Sequence, residues 1–208
     1  MKRLLALPLL ALALAGCGSD SGNNEAASTN PSSTNTSSTN PSSPPQMQTI
    51  PDCMAAPDAG LDAKTSPAIE NRETMYLTKV TVAADACTDQ VFFDFEKQAP
   101  GPGFEVSYQP AETAKFEDGS GNPVEVDGNA FLVVKLTPAM TAKIDGDQLT
   151  KTYTGPKRLT LSGDTSVEDV VKTGDFESVV TWEIGLEDKK PFTTDASESQ
   201  LVIHIERT

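Results

Sequence analysis

From Met75 onward, apolar side chains recur at every second position in short runs separated by Gly, Pro, Asn and Asp. A period of two is the mark of strands with one buried face. It predicts strands near 76–83, 90–96, 103–109, 130–136, 157–161, 166–172, 178–186 and 200–206. The inward faces are Val91, Phe93 and Phe95, then Phe104, Val106 and Tyr108, then Ala130, Leu132, Val134 and Leu136. Val180, Trp182, Ile184 and Leu186 continue the pattern, and Leu201, Ile203 and Ile205 close it. No long run has the 3.6-residue period of an amphipathic helix. One short helical turn is expected over Pro138 to Lys143, and a long polar loop from Lys143 to Gly155 around Asp145, Gly146 and Asp147. The implied fold class is all-β, an antiparallel Greek-key β-sandwich over residues 75–208.

Before Met75 the pattern is of another kind. Lys2 and Arg3 precede an apolar run from Leu4 that ends in Leu14, Ala15, Gly16 and Cys17. This charged, then apolar, then small-residue layout is that of an export signal, and its end resembles a bacterial lipobox. The resemblance implies diacylglycerol on the Cys17 thiol, cleavage after residue 16, and a mature protein attached by lipid to the outer face of the membrane. Residues 29–43 repeat a five-residue unit three times, Thr-Asn-Pro/Thr-Ser-Ser, and lead into Pro44 and Pro45. Such a segment lacks the large apolar side chains that would offset the entropy of ordering, so residues 17–50 are expected to form a disordered tether. As a flexible coil of about 33 residues it would hold the domain on the order of 30 Å from the bilayer. Residues 51–74 read as an arm packed on the domain.

Charge narrows the partners. The full chain has 16 Lys and Arg against 30 Asp and Glu, a formal −14. Loss of residues 1–16 removes two of the basic residues and no acid, leaving 14 − 30 = −16. A surface of this sign repels nucleic acid, so no nucleic-acid partner is expected, and contact with a polyanionic wall has to be local. With Cys17 taken by lipid, Cys53 and Cys87 are expected to pair in an oxidising compartment. Two free thiols are the alternative.

Catalytic chemistry is sparse. The one histidine, His204, falls on the outward side of its strand. A single imidazole excludes a multi-His zinc amidase and leaves no Ser-His or Cys-His pair with an orienting partner. Residues 117–122 and 145–147 are acidic but lack the spaced ligand ladder of a calcium loop and read as ordinary turns. Neither a metal nor a cofactor is expected. Tyr153, Lys157 and Arg158 are the one place where an aromatic and two cations interrupt an acidic chain. They are the candidate binding patch, by stacking on a sugar and bonding a carboxylate. The competing reading has the two cations paired with neighbouring acids as a surface network.

Six segments stand out in order along the domain: Ala86-Cys87-Thr88-Asp89-Gln90-Val91-Phe92-Phe93-Asp94-Phe95, Pro102-Gly103-Phe104-Glu105-Val106-Ser107-Tyr108, Tyr153-Thr154-Gly155-Pro156-Lys157-Arg158, Gly174-Asp175-Phe176-Glu177, Val180-Thr181-Trp182-Glu183-Ile184-Gly185-Leu186 and Pro191-Phe192. In content and order, over residues 76–206, they resemble the AMIN-like domain of bacterial envelope lipoproteins. Where the family often has an arginine after the aspartate, this chain has Gln90. The resemblance implies a non-catalytic β-sandwich that binds peptidoglycan or a wall-associated envelope partner. A structural or regulatory subunit of an envelope complex, or a small-ligand carrier, are the alternatives.

Overall fold

The structure, a computed structural model, describes residues 53–110, 113, 116–161 and 163–207. The expected signal segment, the lipidated Cys17 and the tether lie outside the described residues.

All the regular structure described is strand. One sheet runs from edge to edge as β1 (Lys64–Thr65), β4 (Phe104–Gln109), β5 (Ala130–Leu136), β11 (Val179–Leu186), β10 (Val167–Phe176) and β9 (Arg158–Thr160). The other runs as β12 (Phe192–Ala196), β13 (Gln200–Glu206), β3 (Thr88–Phe95), β2 (Met75–Ala84) and β6 (Ala139–Met140). A hairpin of β7 (Ala142–Asp145) and β8 (Gln148–Lys151) stands apart. Pairing is antiparallel except between β2 and β6. Pairs β5–β11 and β3–β13 join strands far apart in the chain, the long-range return that distinguishes a Greek-key sandwich from a simple meander.

The alternating positions do as their period requires. Side chains from both sheets meet in one core that includes Val91, Phe93, Leu132, Trp182, Ile184, Leu201 and Ile203. Trp182 is fully buried, with Phe93 and Tyr153 edge-on to it at 6.0 and 5.6 Å. Tyr108 is partly buried at the margin, where its hydroxyl donates to the Lys190 carbonyl and accepts from the Lys190 amide.

Four expectations need correction. Residues 138–143 form no helical turn: Ala139 and Met140 pair with Met75 and Tyr76, and Ala142 opens β7. The expected polar loop from Lys143 is instead the β7–β8 hairpin, turning at Gly146 (φ 58°), with Ile144 opposite Leu149. Two apolar residues in a polar stretch are too few to show a period. Two strands lie outside the predicted set: β12, whose Thr193, Thr194 and Asp195 carry no apolar alternation but pair by backbone with β13, and the two-residue β1, which pairs with β4. Finally, β9 is only three residues long.

Strands β10 and β11 are covered on both faces. Residues 116–129 cross the outer face of this sheet, where the Asp118 amide bonds the Thr173 carbonyl at 2.8 Å and Thr181 Oγ1 bonds the Asp118 carboxylate at 3.2 Å. Two glycines permit this approach: a Cβ on Gly174 would lie 1.9 Å from Asp118, and one on Gly185 1.7 Å from the Asp127 carbonyl. Glycine inside a strand marks such a close backbone approach.

Candidate functional site

The two ends of the sandwich bring together different chemistry. At one end, β2 turns into β3 through Asp85, whose carboxylate accepts from the amides of Cys87 and Thr88, both at 2.8 Å, and from the Thr88 hydroxyl. These bonds hold the Asp85 carboxyl below the usual carboxylate range, with a lesser contribution from the Arg207 charge. The turn presents Cys87 to Cys53 on the arm, and the two are joined in a disulfide with Cα atoms 5.3 Å apart. The arm also bonds to Phe192 at Gly60 and pairs with β4 at Lys64 and Thr65. Beside the turn, Asp89 is fully buried, and one carboxylate oxygen accepts from the amide and hydroxyl of Ser166 at 2.7 and 2.6 Å. Arg207 lies 3.8 Å from its other oxygen. Gln90, standing where the family often has arginine, donates to Asp85.

The opposite end is built from the β7–β8 hairpin, the 153–157 turn and the end of β10. A groove of about 400 Å3 runs between them, lined by Met140, Thr141, Leu149, Lys151, Lys157 and Lys172, among others. Lys172 Nζ lies 2.8 Å from Asp175, which also accepts from the Thr141 hydroxyl. Lys157 is two-thirds exposed and reaches Glu117 at 2.5 Å. That bond, with one from Ser120, holds the Glu117 carboxyl below its ordinary range. Ile144 and Leu149 are largely exposed on the hairpin.

Of the patch expected from sequence, only part survives. Tyr153 is a correction: the residue is 6 % exposed, its ring packed edge-on against Trp182 and its hydroxyl donating to the Pro156 carbonyl at 2.7 Å. Burial raises its pKa, and no ring face is open to stack on a sugar. Arg158 also turns away from a ligand role. It donates to the buried carboxylate of Asp169 and to the Glu125 carbonyl, and lies 3.7 Å from Asp127. Burial pushes the Asp169 carboxyl up even so, its bond from the Asp127 amide and the charge of Arg158 opposing. The network with neighbouring acids, weighed above as the competing reading, is what these two cations make. His204 is half-buried with Nε2 3.0 Å from Asp195. Among the described residues no group of three or more His, Cys, Asp or Glu has the arrangement of a metal site.

Lys151, Lys172 and Asp175 join the groove without any marking in the local sequence pattern as a binding site. Lys172 was visible as a polar interruption of the Val170-Val171 run, but only the folding of the hairpin over β10 brings Lys151 beside it.

The family model of the AMIN-like domain matches residues 75–207, nearly the whole sandwich. The chain belongs to the AMIN-like domain family. No curated protein and no solved structure matches it. Of the AMIN-like segments quoted above, Ala86 to Asp89 lies at the disulfide end, whereas Tyr153, Gly155, Lys157 and Asp175 line the groove.

Proposed function

We propose that this AMIN-like protein is a non-catalytic, lipid-anchored envelope module that binds peptidoglycan through the groove beside β10. Family membership over residues 75–207 is the observation that carries the reading. The choice of the groove is supported by its gathering of Lys151, Lys157 and Lys172 in a chain of formal charge −14. On this reading Cys17 bears the lipid on the extracytoplasmic face and residues 17–50 act as a leash. Tethering raises the effective concentration of wall around the domain, so a weak local contact suffices.

A second reading, a regulatory subunit of an envelope complex, is favoured by the exposed cross-strand pair Ile144 and Leu149. Exposed apolar pairs rimmed by polar residues suit a protein partner. A small-ligand carrier gains least support, because the groove is open and the core is filled by side chains.

One experiment separates them. The full chain is mixed in parallel with purified cell wall and with a detergent extract of membranes. Retention on wall without turnover is expected; retention only by a protein from the extract replaces the peptidoglycan reading with the subunit reading. Mass spectrometry of the exported protein tests the anchor: an unlipidated N-terminus starting elsewhere than Cys17 removes it.

A further inference from the structure

Wall polymer offers a binding protein two chemistries. Its sugar rings present C–H faces that stack on exposed aromatics, and its peptide stems present carboxylates and small methyl groups. The groove is suited to only one of them. Its single aromatic lining residue, Tyr153, has its ring committed to Trp182 in the core. Its charged lining is Lys151, Lys157 and Lys172 against Asp175 alone, a formal balance of 3 − 1 = +2. Lys172 and Asp175 neutralise each other. Lys157 is held only by Glu117 at the rim, and Lys151 has no ion pair among the described residues. Met140, Ala142 and Leu149 give the same groove an apolar side.

Resting on the peptidoglycan reading, we infer that the groove takes the carboxylate-bearing peptide stem of the wall polymer rather than its sugar chain. Lys151 and Lys157 donate charge-assisted hydrogen bonds to stem carboxylates, while alanine-type methyl groups lie against Met140, Ala142 and Leu149. Lys157 must exchange Glu117 for the ligand. Glu117 is therefore a built-in competitor, and its neutral amide should compete less well.

Calorimetric titration of the full chain with a synthetic L-Ala–γ-D-Glu stem peptide, and separately with glycan strands stripped of peptide, tests this. The stem peptide should bind and should displace the protein from pelleted wall. The double variant Lys151→Met, Lys157→Met keeps most of the aliphatic stems but loses both charges, and should bind the peptide roughly tenfold more weakly with an unchanged circular dichroism spectrum. Glu117→Gln should bind it about two- to fivefold more tightly. Stripped glycan that displaces the protein from wall where stem peptide does not would overturn the inference and leave the peptidoglycan reading standing. A parent chain that neither pellets with wall nor binds either probe ends both. Weaker binding by Glu117→Gln, with Lys157→Arg failing to retain affinity, would also overturn it, because Lys157 would then be a structural partner of Glu117 rather than a ligand contact.

Discussion

The two ends of this sandwich use similar charged residues to opposite effect. At the disulfide end, Asp89 is wholly enclosed, its bonds go to Ser166, and Arg207 beside it is mostly covered. At the groove end, Lys157 pairs with Glu117 in the open, where solvent screens the attraction. A charge enclosed by the fold is costly to disturb and serves the structure, whereas an exposed pair is easily exchanged and can serve a ligand. What separates these two pairs is burial: the Asp89 side chain is enclosed, whereas that of Lys157 is two-thirds exposed.

The contrast can be broken in steps of decreasing size. Trp182→Ala empties the centre that both ends share and should cost about 3–5 kcal/mol in urea unfolding. Replacing Cys53 and Cys87 by Ser should cost about 3–4 kcal/mol by chain entropy, for a bond that spans 34 residues. Proteolysis should then cut the arm before the sandwich, and equal protection of arm and sandwich would show that the arm holds without the bond. Arg158→Ala should cost about 1–2 kcal/mol, because it removes the cation from the buried Asp169 carboxylate, whereas Lys157→Ala should stay within about 0.5 kcal/mol. If the two lysine and arginine variants prove equally mild, Arg158 belongs with the exchangeable cations.

The smallest effect is a pH dependence with a definite sign. The Asp85 carboxyl is lowered in the folded protein, so the unfolded chain binds its proton first as pH falls. Its stabilisation is complete above the unfolded carboxylate range and is lost as pH drops through the folded value. Asp169 is raised, so it acts in the opposite sense: its penalty is absent in acid and grows as pH rises through its folded value. Asp85→Asn keeps an oxygen for the Cys87 and Thr88 amides but removes the titration, and unfolding midpoints followed from neutral to acid pH should fall less steeply than for the parent. An unchanged slope would place the acid sensitivity elsewhere.

Sequence by itself determined the strand-rich class, the inward residues and the family, because a period of two survives in any register of a half-buried strand. It also brought Cys53 and Cys87 forward as a pair, since few partners were available. It did not show β12, whose polar side chains follow no pattern, nor the β7–β8 hairpin, where one apolar pair is too little signal. Nor did composition around Tyr153, Lys157 and Arg158 reveal that the tyrosine turns inward and the arginine onto Asp169. The alternation says which side of a strand is buried, but not which residues outside the strands come to lie on it. Only the tertiary structure decided that residues 116–129 cover the outer face of β10 and β11, and that Lys151 and Lys172, distant along the chain, line one groove with Lys157. Those contacts are long-range, and no local pattern in the chain encodes them.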